Sequence, residues 1–214
     1  VSTISLTSTS KASSLRSSRT DFSDQPQWRV ALIQQNVDPW HGGQKAYEQS
    51  FEIHSRLSTE AQQKHSPDIV IWSETAFVPG IDWHTKYRTD RDRYRLVRQL
   101  REYLNEQEVP FVIGNDDGQL DKVGMPPVNW DGTLNRLDYN ASILYVDGEI
   151  VDTYRKLHLV PFTESFPFEE SLPGIYKWLK EADTHFWEKG DEYTVFEVDG
   201  VRFSTPICFE DIFG

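Results

Sequence analysis

The chain's one thiol, Cys208, lies in S-T-P-I-C-F-E-D-I-F-G, between an apolar run and a stretch able to open a helix. At such a junction backbone N–H groups and the positive end of a helix dipole favour the thiolate, the nucleophilic form of cysteine. A buried structural cysteine is the commoner fate of a free thiol, and Cys208 alone does not decide between the two. Glu74, in D-I-V-I-W-S-E-T-A-F, follows directly after a short apolar run. Open α/β sheets place ligand groups beyond strand C-termini, and a carboxylate set between Trp72 and Phe77 suits general-base work. The alternative is an ordinary helix start, with Ser73 as cap and Glu74 in solvent. Lys156, in V-D-T-Y-R-K-L-H-L-V-P-F-T-E, closes another strand-like run beside Arg155 and His158. A lysine there ordinarily snorkels into solvent unless a partner holds it, and Glu164 can supply that partner across a loop.

These three residues need elements to carry them. Arg29–Asn36 reads as a strand, and Gln44 to about Lys64 as a surface helix with Ala46, Tyr47, Phe51, Ile53, Leu57 and Ala61 as its apolar positions. Pro67 breaks it, and Asp68–Trp72 is the apolar run of a buried parallel strand. Tyr94, Val97, Leu100 and Leu104 recur at helical spacing over Asp90–Gln107, and Phe111–Gly114 is another strand. Strand, helix, strand, helix, strand predicts α/β layering. The second half changes rhythm. Tyr139–Val146, Asp147-Gly148 and Glu149–Tyr154 form a hairpin pattern, repeated by Tyr193–Val198, Asp199-Gly200 and Val201–Ile207. Between them, 161–190 reads as long loops with one short helix near Ile175–Glu181.

The 214 residues suit one domain with a tail. Residues 1–27 are dominated by Ser and Thr without apolar period, so they are expected to be a disordered tail or linker, with the domain over 28–214. With 22 basic against 34 acidic residues the formal charge is −12, which argues against a nucleic-acid binder. A single Cys excludes an internal disulfide framework, and the six His show no metal-ligand spacing, so no metal is expected. No apolar run approaches the ~20 residues of a membrane span. The arginines of Arg88–Arg101 read as a solvated helix face with local ion pairs, contact with anionic phospholipid being the alternative.

Glu74, Lys156 and Cys208 occur in that order, each after a strand-like run. In this the sequence resembles the nitrilase (carbon–nitrogen hydrolase) superfamily, whose catalytic triad is Glu, Lys and Cys in that order. Within it the resemblance is to the apolipoprotein N-acyltransferase branch. It rests on Q-Q-N-V-D-P-W at 34–40, W-S-E-T-A at 72–76, Y-R-K-L-H-L-V-P-F-T-E at 154–164 and I-C-F-E-D-I-F at 207–213.

The resemblance implies a nitrilase-type α-β-β-α sandwich, with Glu74 as base, Lys156 as oxyanion stabiliser and Cys208 as nucleophile. It makes Glu164 and Glu210 supporting carboxylates, Phe209 an oxyanion donor through its backbone N–H, and Trp40 and Asn140 substrate-side residues. The implied reaction moves a fatty acyl chain from a phospholipid to the N-terminal diacylglyceryl-Cys of bacterial lipoproteins through a Cys thioester, without a cofactor. The implied place is the extracytoplasmic face of the bacterial inner membrane. Rival readings are a soluble amidase using the same triad and a catalytically silent fragment. Two departures stand out. The membrane helices of such enzymes are missing, and the chain ends six residues past Cys208, so the sandwich is expected to be truncated after the nucleophile strand and inactive alone.

Overall fold

A computed structural model describes residues 2–7, 27–36, 42–168, 171–181 and 186–213. Six strands form one sheet in chain order: β1 (Ser2–Thr7), β2 (Gln27–Ile33), β3 (Ile69–Trp72), β4 (Phe111–Gln119), β5 (Leu137–Val146) and β6 (Glu149–Arg155). β2, β3 and β4 run parallel, whereas β1 pairs antiparallel with β2, β5 with β4 and β6 with β5. Helix α1 (Gly43–His65) crosses from β2 to β3; α2 (Ile81–Tyr87) and α3 (Arg91–Asn105) lie between β3 and β4. Then come α4 (Pro173–Glu181), the hairpin β7 (Phe196–Val198) and β8 (Val201–Phe203), and a 3₁₀ helix, Cys208–Phe213. The mixed α/β architecture read from the sequence is present.

Strand period two divides the core between the two faces of the sheet. Phe111 and Ile113 of β4 join Val70, Trp72, Leu96 and Leu100 on the helix side. Val112 joins Val30, Ile69, Leu144 and Tyr154 on the other, where Phe196 and Val198 of the small hairpin cover them. Both hairpin turns have positive φ at both central residues, Asp147-Gly148 and Asp199-Gly200, as a two-residue turn matched to strand twist requires. α3 begins where Asp90 accepts a hydrogen bond from the Arg93 N–H at 2.8 Å. Its arginines are surface partners, Arg95 to Glu48 at 3.2 Å and Arg98 to Glu102 at 3.3 Å.

Four expectations are corrected. The composition of residues 1–27 predicts a disordered tail or linker, but Ser2–Thr7 pairs antiparallel with β2 as the edge strand β1, and Gln27 belongs to β2. Its Thr and Ile are β-branched, and backbone pairing does not need an apolar face. Of the apolar positions expected to face the core from α1, Tyr47 and Ala61 are buried and Phe51 and Leu57 pack against it, but Ser50, His54 and Ser58 are buried beside them. Small polar groups are satisfied there: Trp72 Nε1 donates to Ser58 Oγ at 2.8 Å, and Ser50 Oγ donates to the Ala76 carbonyl at 2.7 Å. β4 does not stop at Gly114 but continues through N-D-D-G, paired residue by residue with β5. Its acids are neutralised from a distance, Asp116 by Arg136 at 2.6 Å and Asp117 by Arg155 at 2.7 Å. Finally, no strand ends at Ile207. β8 stops at Phe203, Pro206 lacks the N–H that a ladder needs, and Cys208 opens the 3₁₀ helix instead of following a nucleophile strand.

Candidate active site

Glu74 sits in the turn after β3, and two residues of β4 hold that turn. A Cβ on Gly114 would stand 2.3 Å from the Ser73 carbonyl oxygen and 2.8 Å from the Glu74 Cα, so only glycine lets the turn lie on the strand. The Gly114 carbonyl accepts from the Phe77 N–H at 3.1 Å. Asn115, fully buried, donates through Nδ2 to the carbonyls of Phe77 and Pro79 and accepts from the Ile81 N–H at 3.1 Å. Thr75 takes a left-handed φ of 48°, a cost the surrounding bonds must carry. The Glu74 carboxylate is then aimed by β5: Asn140 Nδ2 donates to its Oε1 at 2.7 Å. Asn115→Ala would leave two carbonyls and one N–H buried without partners. We expect a loss of about 2–3 kcal/mol in chemical denaturation, since each orphaned group costs ~1–3 kcal/mol less what water recovers.

Lys156 follows β6 directly, and its side chain is 0% exposed. An ammonium buried without partners would be strongly disfavoured. Here Nζ donates to Glu164 Oε1 at 2.8 Å and lies 4.0 Å from Glu74 Oε1. The turn V-P-F-T-E brings Glu164 back: its N–H reaches the Val160 carbonyl at 2.9 Å, and its Oε2 accepts from the Val160 N–H at 2.8 Å. The backbone of Lys156 is tied to the same group, its N–H donating to the Asn140 carbonyl at 2.8 Å. Glu74, Asn140, Lys156 and Glu164 therefore form one contiguous polar cluster at one end of the sheet.

Glu210 links the cysteine turn to that end. Its Oε1 accepts from Tyr154 Oη at 2.8 Å, the Leu157 N–H at 2.7 Å and the His158 N–H at 2.9 Å; its Oε2 accepts from the Ile207 N–H at 2.9 Å. Burial pushes the Glu210 carboxyl up, but the N–H groups of Ile207, His158 and Leu157 and the Tyr154 hydroxyl outweigh it and hold the group below its ordinary value. Burial, then the bond to Glu210, pushes the Tyr154 phenol well above its ordinary value. One carboxylate thus pins Ile207–Glu210 against the two residues that follow Lys156. Cys208 lies within this turn, exposed, with a left-handed φ of 54°, a strained conformation for a residue with a side chain. Phe209 follows it, partly exposed.

Trp40, assigned from sequence to the substrate side, lies outside the described residues. Among the described residues no group of three or more His, Cys, Asp or Glu could hold a metal ion. Sequence reasoning missed Gly114 and Asn115, which looked like the polar end of a strand. It also missed Arg136, buried with Asp116 at 2.6 Å and with its Nε 2.6 Å from Asp138. That Nε contact is an ion pair rather than a hydrogen bond.

Comparison with known proteins follows the same lines. The carbon–nitrogen hydrolase family matches residues 29–214. Apolipoprotein N-acyltransferase 1 of Treponema denticola is 48% identical over 203 residues, covering 91% of this chain and 37% of the relative. Apolipoprotein N-acyltransferase 1 of Treponema pallidum is 43% identical over 192 residues, 87% of this chain and 34% of the relative. The chain thus spans about a third of the length of the curated relatives it matches. Among solved structures, an amidase from Nesterenkonia sp. shares the fold with a TM-score of 0.51 at 14% identity, over 85% of this chain and 56% of the amidase. The match over 29–214 is far more than half of the chain, and the chain belongs to the carbon–nitrogen hydrolase family.

Proposed function

We propose that residues 28–214 are catalytic-domain sequence of an N-acyltransferase that moves a fatty acyl chain from a phospholipid to the N-terminal diacylglyceryl-Cys of a bacterial lipoprotein. The observation that carries the chemistry is Lys156, buried between Glu164 and Glu74, beside a cysteine turn pinned by Glu210. In the first step Glu74 takes the thiol proton and Cys208 sulfur attacks the ester carbonyl. Glu74 Oε1 is engaged by Asn140, so the proton goes to Oε2. The Lys156 ammonium and the Phe209 N–H hold the tetrahedral oxyanion, each donor worth about 3 kcal/mol in such sites. Collapse expels the lysophospholipid alkoxide, which recovers the proton from Glu74, and leaves a thioester. In the second step Glu74 removes a proton from the attacking α-amine, the amide forms, and the Cys208 thiolate leaves and is reprotonated.

Support for a lipid substrate comes from the relatives' names and from the segment 162–178. Phe162, Phe168, Leu172, Ile175 and Trp178 are exposed there; the rings of Phe162 and Phe168 lie 6.4 and 6.2 Å from that of Phe166, which stacks 6.1 Å from Tyr176. Such a surface suits acyl chains better than a small amide. No helix among the described residues is long and apolar enough to cross a membrane. The membrane attachment of the whole enzyme, at the extracytoplasmic face of the inner membrane, is part of the proposal and rests on the longer relatives.

The test is the full-length protein incubated with phospholipid and a diacylated lipopeptide, followed by mass spectrometry. Transfer of one acyl group to the peptide amine is the expected result. Release of free acid from short amides without transfer would assign the site to amidases instead. Glu74→Gln should slow both half-reactions by ~10²–10⁴-fold, the usual share of a general base. Loss of only one half-reaction would remove Glu74 from its double role.

A further inference from the structure

The catalytic residues proposed above are held from behind by a segment that none of them belongs to. Trp187–Gly190 has no regular secondary structure, yet its backbone ties three separate pieces of chain together. The Trp187 N–H donates to the Glu164 carbonyl at 2.9 Å, the Glu188 N–H to the Asp138 carbonyl at 2.7 Å, and the Gly190 N–H to the Lys156 carbonyl at 2.9 Å. Those acceptors are the Lys156 partner, the start of β5 two residues before Asn140, and Lys156 itself. A strap therefore crosses the loop, strand and strand end that carry the polar cluster.

Its seat requires a residue without a side chain. Gly190 is buried, and its φ does not lie in the left-handed region, so backbone freedom is not what glycine supplies here. What it supplies is clearance. A Cβ at this position would stand 2.3 Å from the Arg155 carbonyl oxygen, 2.9 Å from its carbonyl carbon and 3.0 Å from the Arg155 Cβ. Arg155 cannot recede to make room. Its backbone pairs with Ala141 in the sheet, and its guanidinium holds Asp117 through Nε at 2.8 Å and Nη2 at 2.7 Å. The same guanidinium lies over the Tyr139 ring at 4.9 Å. Any side chain at 190 must therefore lift the strap, not the strand.

We propose that Gly190 is a positioning residue: by letting the Trp187–Gly190 strap seat on Arg155 and Lys156, it keeps Lys156 buried and paired with Glu164. The inference rests on the triad reading above, because only there does the placement of Lys156 matter for chemistry. Lifting the strap breaks the bond to the Lys156 carbonyl, admits water beside Nζ and frees the Glu164 turn. The ammonium then loses its fixed aim at the oxyanion, while the exposed Phe168, Leu172, Ile175 and Trp178 belong to neither the strap nor the V-P-F-T-E turn.

The experiment compares full-length wild type, Gly190→Ala, Lys189→Ala and Lys156→Met, with phosphatidylethanolamine in mixed micelles as donor. Acylation of Cys208 is followed by intact mass in single turnover, and Lys156 accessibility by acetylation with an N-hydroxysuccinimide ester. Gly190→Ala should acylate at least tenfold more slowly, with half-saturating donor concentration within twofold of wild type, and its Lys156 should become acetylated. Lys189→Ala, which removes an exposed side chain and keeps every strap hydrogen bond, should match wild type in both readouts. Acylation of Gly190→Ala within threefold of wild type, or a Lys156 that stays protected in it, overturns the proposal. Lys156→Met separates this from the reading beneath it: undiminished acylation there removes the triad assignment whatever the strap does. Wild-type amide exchange gives a check that does not depend on the variant folding. The Gly190 N–H should exchange as slowly as the amides of β5, and exchange at open-loop rates would sink the strap.

Discussion

Cys208→Ser is expected to abolish the covalent acyl-enzyme while leaving the fold as it is. Cys208 is exposed, so the exchange of sulfur for oxygen disturbs no core packing and should change stability by less than about 0.5 kcal/mol. Serine accepts the left-handed φ of 54° no worse than cysteine, and the anchor on Glu210 belongs to other residues of the turn. The chemistry differs sharply. A serine hydroxyl is far less acidic than a thiol and needs a base that withdraws its proton during attack, usually a histidine oriented by a third group. The residues assembled here are carboxylates and an ammonium, Glu74, Glu164 and Lys156. We expect acylation to fall by at least about 10³-fold, the scale of losing an activated nucleophile. Intact mass spectrometry after incubation with phospholipid reads this directly. An acyl adduct that persists on the serine variant would remove Cys208 from the role of nucleophile.

The parts of the fold visible in the sequence are those whose causes are local. The apolar run Ile69–Trp72, the helical spacing of Tyr94, Val97, Leu100 and Leu104 in α3 and the Asp-Gly turns at 147–148 and 199–200 each depend on residues within a few positions. What could not be read has its cause far along the chain. N-D-D-G reads as a strand end until Arg136, just before β5, and Arg155 of β6 arrive to neutralise the acids. Ser50 and Ser58 face the core only because Trp72 and Ala76 offer them partners. β1 carries little apolar signal, and its pairing with β2 is a backbone matter. The site divides the same way. Glu74, Lys156, Glu164 and Cys208 could be named as candidates by residue type and order. The Gly114 cradle and the three bonds of Asn115 follow from β4 lying beside β3, and the aim of Asn140 at Glu74 from β5 lying beside β4, neither of which a local pattern specifies. Glu210 is the clearest instance, because the groups it gathers come from residues 154, 157, 158 and 207.

That gathering makes Glu210→Gln a substitution that strikes both the stability of the fold and the placement of Cys208. The carboxylate accepts four hydrogen bonds, three on Oε1 and one on Oε2. Glutamine offers one oxygen. Turned to serve Tyr154, Leu157 and His158, it sets its amide NH₂ against the Ile207 N–H, donor against donor, one residue before Cys208. Turned the other way, it orphans the Leu157 and His158 N–H groups beside Lys156, and only the Tyr154 hydroxyl can turn to accept from its amide. The surviving bonds also lose the assistance of a full charge. Together these suggest a destabilisation of about 2–3 kcal/mol at neutral pH. The pH dependence carries the sign. Glu210 is held below its ordinary carboxylate value, so its stabilisation is complete above the unfolded value of ~4.3 and is lost as pH falls through the lower folded value. The gap between wild type and variant should therefore be widest near pH 7 and narrow on acidification, as read by urea denaturation at a series of pH values. A gap that stays constant with pH would mean that the charge on Glu210 does not hold the turn. Catalysis should suffer at the same time, because the turn that presents Cys208 loses its anchor, and a misplacement of ~1 Å costs ~10²-fold. Acylation at the wild-type rate in a Glu210→Gln protein that is still folded would show that Cys208 is placed by something other than this carboxylate.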